Sequence, residues 1–205
     1  SLIDVLKNGI EIANIKLDLL YTMPATTFNT ALVKKAQENR FSVMEEVWAS
    51  DTERIDLVIF LNGLAIISFE LKCNQAGQNY THAIHQYRED RNPKTRLFLK
   101  KAGCLVNFAM DLKECYMTSE LRGRETYFLP FNIGRGEGIN TGAGNPDFNG
   151  KYPVSYMWED ILTKETLYDL IGKFVFVEKK EEKDKLTGKK SIKERPIFPR
   201  YHQLR

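Results

Sequence analysis

Residues 55–72, IDLVIFLNGLAIISFELK, decide the fold of this chain. They read as two apolar strands joined at Asn62-Gly63, a dipeptide typical of tight hairpin turns. Strands that are apolar on both faces belong in the middle of a covered sheet, because an exposed face carries polar residues at every second position. Asp56, Glu70 and Lys72 are therefore anomalous charges at the ends of buried strands. Such charges need a partner, water or an ion.

Composition indicates an ordinary globular protein. The chain has 205 residues, of which 42% are hydrophobic and 28% are charged, which suits one domain with a substantial core. No apolar run long enough for a membrane span and no secretory leader is visible, so we expect a cytoplasmic protein with no membrane partner. Three cysteines without CxxC spacing argue against a disulfide framework and a zinc ribbon. A net charge of +3 does not by itself indicate a nucleic-acid partner.

The flanking sequence predicts further helices and strands. Asn29 is a candidate N-cap for a helix over residues 30–39, and residues 41–48 alternate in a pattern that favours a strand. A helix is predicted after the hairpin by the apolar stripe of Tyr80, Ala83, Ile84 and Tyr87. Residues 156–170 predict a later helix, with its buried face at Trp158, Ile161, Leu162 and Leu167.

The three charges of the hairpin lie together only in certain registers. Glu70 and Lys72 are two residues apart in a strand and so share a face. A strict two-residue loop at Asn62-Gly63 would pair Asp56 with Phe69, which places Asp56 and Glu70 on opposite faces. A three-residue loop, or a β-bulge elsewhere in the hairpin, would bring the two acids to one face. The hypothesis of a joint site therefore predicts an odd loop or a bulge.

On one face, these residues suit a metal-dependent hydrolase. Two carboxylates, with the backbone carbonyl of Leu71, offer hard oxygen ligands for Mg²⁺ and leave positions for water and phosphate. A bound metal would lower the pKa of a water and offset charge on phosphate oxygens, and Lys72 would orient the nucleophile or stabilise that charge. An ion pair at strand ends gives the same pattern, so the residues alone leave both interpretations open.

Seven segments of the chain resemble one protein family. They are NRFSVMEEVWAS (39–50), residues 55–72, THAIHQYREDRNPKTRLF (81–98), GCLVNFAMD (103–111), YFLPFN (127–132), GAGNP (142–146) and IFPRYHQLR (197–205). In this order and spacing they resemble the N-terminal part of the HsdR (restriction, or R) subunit of type I restriction-modification enzymes. The resemblance implies an α/β fold with a restriction-endonuclease-like PD-(D/E)xK core, in which a mixed central β-sheet is flanked by α-helices.

The resemblance, together with the charge-rich composition of residues 178–195, predicts an organisation into three parts. Residues 1–175 would form the nuclease domain, residues 176–196 a charged linker or hairpin, and residues 197–205 the truncated start of a helicase-type translocase motor. In the last part, Gln203 resembles the adenine-recognising glutamine of the Q-motif. No Walker A loop follows it, and the glycine-rich residues 134–150 do not supply one. ATP is therefore expected as a cofactor only in a full-length subunit.

The resemblance assigns candidate roles to single residues. Asp56 matches the first metal-binding acid, and Glu70 and Lys72 match the catalytic ExK pair, with Asp56 and Glu70 as Mg²⁺ ligands. Tyr87 matches the tyrosine of a Gln-x-x-x-Tyr motif that supports the site, but Ala83 occupies the glutamine position. Gln86, which lies beside Tyr87 and one helical turn from Ala83, is a candidate substitute for the missing glutamine. Arg88 and Arg91 are candidates for DNA phosphate contacts, although core packing explains Tyr87 equally well and a solvated face explains the arginines.

The expected function is that of a type I site-specific deoxyribonuclease subunit. The resemblance implies Mg²⁺-dependent hydrolysis of double-stranded DNA after ATP-driven translocation. It also implies a complex with a methyltransferase (M) subunit and a specificity (S) subunit, the latter selecting the sequence. Two alternatives remain: a free-standing repair-type PD-(D/E)xK nuclease, and a docking module of the R subunit whose acids are vestigial.

Overall fold

A six-stranded mixed sheet forms the centre of the computed structural model, which describes residues 1–24, 26–134, 143–147, 150–183 and 190–204. Its strands, in spatial order, are β3 (Phe41–Trp48), β4 (Arg54–Leu61), β5 (Leu64–Leu71), β6 (Val106–Met110), β7 (Cys115–Thr118) and β8 (Leu129–Pro130). Only β5 and β6 run parallel among these neighbours; the other pairs are antiparallel. The apolar hairpin β4–β5 lies inside the sheet, as its sequence predicts.

Helices cover both faces of this sheet. The α-helices are α1 (Leu2–Asn8), α2 (Thr30–Gln37), α3 (Tyr80–Glu89) and α4 (Lys164–Asp169). Two wide helical turns with π-type hydrogen bonds flank α4 at Met157–Ile161 and Leu170–Phe174, and short 3₁₀ turns occur at Asn74–Ala76 and Tyr201–Gln203. Two small or peripheral hairpins complete the chain: β1 (Ile10–Ile12) with β2 (Ile15–Leu17), and β9 (Phe176–Lys183) with β10 (Lys190–Ile197). The α/β architecture with a mixed central sheet is confirmed.

The helices α2 and α3 begin where side chains can cap them. Asn29 accepts a hydrogen bond from the backbone N–H of Leu32, which confirms the predicted N-cap. Asn79 accepts one from the backbone N–H of Thr81 at the start of α3. Because β5 and β6 are parallel, the chain must cross over between them, and α3 lies in this crossover. The connection therefore places α3 directly after the strand that carries Glu70.

Two apolar layers lie on opposite faces of the sheet. The larger layer joins Phe69 and Phe108 to α1, to α4 and to the C-terminal segment. The smaller layer joins Val58 and Ala109 to the inner face of α3, where Tyr87 is fully buried. The side chains of Ser68 and Glu70 belong to the α3 side, since Ser68 contacts Tyr87 and Glu70 contacts Arg91. Polar groups at this depth require internal partners.

The predicted burial of Trp158 is wrong. Its side chain is half exposed, whereas Met157 and Ile161 are buried. The segment starts as a wide turn over Met157–Ile161, and α4 begins only at Lys164. Because an α-helical stripe assumes one regular period, the wider turn rotates Trp158 away from the core.

The C-terminal part of the chain packs on the same core as the sheet. Strands β9 and β10 form a hairpin, and after it Phe198 and Tyr201 are buried beside Phe131. Residues 184–189 and most of the glycine-rich stretch 134–150 lie outside the described residues. The division at residues 175 and 196 stays a prediction. No described helix is both long enough and apolar enough to cross a membrane.

Candidate functional site

A β-bulge brings the two acids of the hairpin to one face. The loop is a two-residue turn, since Leu61 pairs with Leu64 and both Asn62 and Gly63 have positive φ. The three-residue loop is therefore absent. The bulge follows immediately: Phe60 pairs with Ala65, but the next pair is Ile59 with Ile67, which leaves Ile66 without a partner in β4. The predicted irregularity is confirmed in this form.

The bulge changes the register of everything beyond it. Val58 pairs with Ser68 and Leu57 with Phe69, so continuing this register sets Asp56 opposite Glu70. Without the extra residue, Asp56 would lie opposite Phe69 and point to the other face. The one residue inserted at Ile66 therefore places Asp56 and Glu70 opposite each other, in a register in which they share a face of the sheet.

Between β4 and β5, side chains rather than ladder bonds hold the strand ends at the acids. The last assigned pair of the β4–β5 ladder is Leu57 with Phe69. One step further, the Asp56 carboxylate accepts a hydrogen bond from the backbone N–H of Leu71, with 2.7 Å between Oδ2 and N. The Lys72 ammonium lies 4.0 Å from the same Oδ2 atom. The backbone N–H of Lys72 is bonded to the carbonyl of Met110 at the end of β6. Asp56 and Lys72 are thus brought together.

Glu70 is the most deeply buried charge of the site. Its residue is fully inaccessible, whereas the side chains of Asp56 and Lys72 are 30% and 13% exposed. Burial raises the pKa of Glu70 to about 7, while the hydrogen bond from Arg91 acts in the opposite direction. The Nε atom of Arg91 lies 2.7 Å from Oε1 of Glu70. The other oxygen, Oε2, is buried and has no hydrogen-bond partner.

An unpaired buried carboxylate oxygen fits a cation site. Such an oxygen is costly unless something completes its coordination. Glu70 supplies Oε2, Asp56 supplies a second carboxylate in register with it, and both are hard oxygen ligands suited to Mg²⁺. Among the described residues, no group of three or more His, Cys, Asp or Glu side chains is arranged to hold a metal. Two side-chain ligands would leave the remaining positions to the Leu71 carbonyl, water and phosphate.

The candidate support residues on α3 have different surroundings. Tyr87 is fully buried, packs against Phe98 and Phe128, and its hydroxyl lies 2.9 Å from Oγ of Ser68. Since Ser68 donates its own hydrogen to Asn107, the tyrosine hydroxyl donates to Ser68. A residue enclosed in this way supports the strand of Glu70 from within the core and has no surface for a phosphate.

The polar neighbours of Tyr87 lie at different depths. Gln86 and Arg88 are half-buried, and Nε of Arg88 donates to the backbone carbonyl of Thr126. Arg91 is buried beside Glu70, so its position favours a role toward that carboxylate over a contact with DNA phosphate.

At the far end of the chain, Gln203 is exposed, and its Oε1 accepts a hydrogen bond from the backbone N–H of Arg200. The adenine-binding role of Gln203 stays a prediction.

Sequence reasoning missed the contact between Arg91 and Glu70. The signal was present, because Arg91 continues the buried stripe of α3 by one more turn after Tyr87. A charged residue on an apolar stripe needs a buried partner of opposite charge. Glu70, an acid at the end of a buried strand, was the candidate partner for Arg91.

The sheet order, the crossover helix and the paired acids define an α/β protein with a restriction-endonuclease-like core. A family model described as the type I restriction enzyme R protein N terminus matches residues 7–126, more than half of the chain, and the chain belongs to this family. The matched region contains the bulged hairpin, α3 and Arg91. Searches of curated proteins and of solved structures gave no significant match.

Proposed function

We propose that this domain is the DNA-cleaving unit of a type I restriction R subunit and hydrolyses phosphodiester bonds with Mg²⁺. The observation that carries the proposal is the free Oε2 of buried Glu70, placed by the bulge on the same face as Asp56. In a buried ion pair that binds no ligand, we expect protein donors to satisfy both carboxylate oxygens, because an unpaired buried oxygen is costly. A cation site leaves one of them for the ion.

Each charged residue of the site has a task in this proposal. Asp56 and Glu70 hold the ion, which when bound activates water and offsets charge on the phosphate. Lys72, whose ammonium lies 4.0 Å from Oδ2 of Asp56, would stabilise the negative charge that develops on a phosphate oxygen bound beside these carboxylates. Tyr87 and Ser68 keep the strand of Glu70 in place from beneath.

The domain is proposed to act within a larger complex. Family membership supports an R subunit that works with methyltransferase and specificity subunits on double-stranded DNA. The ATP-driven motor would belong to the full-length subunit. Sequence recognition would reside outside this domain, which would cut DNA wherever translocation stops.

The decisive experiment replaces Lys72 by alanine in the R subunit of a reconstituted complex. We expect DNA cleavage to fall at least about a hundredfold, because a charge aimed at the transition state is lost, while ATP-driven translocation continues unchanged. The matched control is Lys164→Ala, an exposed lysine at the start of α4 on the other side of the sheet. Undiminished cleavage by Lys72→Ala would refute the nuclease assignment.

One observation favours the second candidate, a docking module without catalysis. Strand β3 lies at the edge of the sheet and exposes Val43, Met44 and Trp48, each more than half accessible. Open apolar edge strands are typical sites of association. The Lys72→Ala experiment separates the candidates, since a docking module predicts normal cleavage and the proposed nuclease does not.

A further inference from the structure

The strands that carry the two acids diverge from regular pairing at the site. The hydrogen-bonded ladder of β4 and β5 ends at the pair of Leu57 with Phe69. Asp56 and Glu70 lie one residue beyond this pair. The separation of the acids therefore depends on whatever bridges the strand ends. One bridge is the contact from Asp56 to the Leu71 N–H. The second bridge comes from outside the hairpin.

That second bridge is the guanidinium group of Arg91. Its Nε donates to Oε1 of Glu70 over 2.7 Å, and its Nη2 donates to the backbone carbonyl of Arg54 over 2.9 Å. Glu70 belongs to β5, and Arg54 is the first residue of β4. Because the guanidinium is planar and rigid, two bonds to two strands fix their distance at this point.

The same contact orients the Glu70 carboxylate. With Oε1 bound to Arg91, rotation of the carboxylate would break a charge-assisted hydrogen bond in a buried setting, where such bonds are strong. Oε2 therefore keeps one direction and stays free of protein donors. A carboxylate with one oxygen anchored and one open is suited to bind a cation through the open oxygen.

Other roles for Arg91 fit the geometry less well. The residue is only 8% exposed, so it presents little surface to a phosphate. Simple neutralisation of Glu70 would need one contact, whereas one donor of Arg91 is used on a neutral carbonyl. The contact with the carbonyl of Arg54 has no electrostatic purpose for Glu70, but it does hold β4 against β5.

We propose that Arg91 is a positioning residue for the cation site, which it serves by anchoring Glu70 Oε1 and by tying β4 to β5. This inference rests on the proposed function, since it assigns a role toward the same Mg²⁺. Arg91 touches neither DNA nor the ion. Its effect reaches the reaction only through Glu70 and through the spacing of the two strands.

The first test compares Mn²⁺ binding by the 205-residue chain and its Arg91→Lys variant, using calorimetry. Lysine keeps the charge but cannot make two fixed bonds to two strands, so we expect Mn²⁺ affinity to fall about 10- to 100-fold, as for other residues that orient metal ligands. In the reconstituted complex, kcat for cleavage should fall while KM for DNA stays unchanged. The control is Arg124→Lys, whose Nε also donates to a glutamate, Glu89, but at the surface.

Two results with Arg91→Lys would overturn the proposal. Wild-type Mn²⁺ affinity together with wild-type kcat would show that charge alone is sufficient. A raised KM for DNA with a steeper salt dependence and an unchanged kcat would identify a phosphate contact instead. Thermal melting of each variant without metal accompanies the binding data, so that a loss of folding is recognised.

A second measurement needs no variant and decides the matter if Arg91→Lys does not fold. Crystals of the wild-type chain soaked in Mn²⁺ should show the metal on Glu70 Oε2 with the bond from Arg91 to Oε1 intact. A metal that displaces Arg91 from Glu70 would contradict the proposal, because Arg91 would then be a placeholder for the cation.

An error in the proposed function and an error in the role of Arg91 would give different experimental results. If the wild-type chain binds no Mn²⁺ and Glu70→Gln cleaves DNA normally in the complex, the proposed function is wrong and the role of Arg91 is wrong with it. If the wild type binds Mn²⁺ and Glu70→Gln abolishes this binding, but Arg91→Lys binds normally, only the positioning role is wrong.

Discussion

Two long antiparallel hairpins of this molecule, β4–β5 and β9–β10, are built from strands of equal length but differ in regularity. In β9–β10 eight consecutive residue pairs, from Lys190 with Lys183 to Ile197 with Phe176, follow one register. In β4–β5 the register shifts after two pairs. The β9–β10 hairpin exposes polar residues on both faces, so little depends on which face a residue takes. In β4–β5, the position of Glu70 depends on the bulge.

The two hairpins also use charge differently. Lys190 and Glu181 form an ion pair at 3.5 Å across β9–β10 with side chains that are 74% and 71% exposed. Glu70 and Arg91 approach to 2.7 Å with side chains that are 0% and 7% exposed. Water screens the first pair and is excluded from the second. Similar residue types are therefore expected to contribute differently to stability, and the buried pair is the one that adjoins the candidate site.

The largest effect is expected from removing one member of the buried pair. Glu70→Ala leaves the Arg91 guanidinium buried without its carboxylate, so we expect the free energy of unfolding to fall by about 3–5 kcal/mol. Urea unfolding followed by circular dichroism measures this loss.

The matched double variant Glu70→Leu, Arg91→Met removes both charges and keeps similar volumes. It should recover most of that stability, because replacing a whole buried ion pair by apolar residues is often close to neutral. A Glu70→Ala variant as stable as the wild type would mean that Arg91 reaches water easily and that the contrast between the hairpins is smaller than its geometry indicates.

Apolar periodicity was sufficient to predict the central hairpin and the helix after it. The run from Leu57 to Leu61 and the stripe of Tyr87 bury large surfaces whatever the details of the turn. The position of the bulge was not predictable in this way. Ala65, Ile66 and Ile67 are all apolar, so leaving any one of them unpaired buries similar surface, and the choice depends on packing across the whole sheet. The sequence predicted that an irregularity must exist if the acids act together.

The positions of the candidate site residues were predictable where these residues lie on regular strands and less so where tertiary contacts decide. Asp56, Glu70 and Lys72 stand out as charges at the ends of apolar strands. Arg91 was predicted to contact DNA phosphate or to lie on a solvated face, whereas in the structure it is buried and donates to Glu70. The predicted burial of Trp158 was wrong for a related reason, since a wide turn replaces the regular helical period.

An intermediate effect is expected at the turn of the buried hairpin. Asn62 has φ 51° and its side chain bonds the backbone of Arg40 and Leu19 and the side chain of Asn39. Asn62→Ala loses these bonds and keeps a strained left-handed backbone, so we expect about 2–3 kcal/mol of destabilisation.

The control for the turn is Asn62→Gly, which also loses the side-chain bonds but adopts positive φ freely. It should be more stable than Asn62→Ala by about 1 kcal/mol in urea unfolding. Equal stability of the two variants would show that the turn carries no backbone strain and that the side-chain bonds account for the whole effect.

The smallest effect is expected from the exposed ion pair of β9–β10. Glu181→Gln removes one charge of a solvated pair, so the free energy of unfolding should change by less than about 0.5 kcal/mol. Combining it with Lys190→Gln in a double-mutant cycle should give a coupling energy near zero at physiological salt, because both side chains remain hydrated. A coupling above about 1 kcal/mol would contradict the comparison, since it would mean that charge helps to determine the register of β9–β10. The regular register of that hairpin would then result from specific pairing of charges, and not from the similar exposure of its two faces.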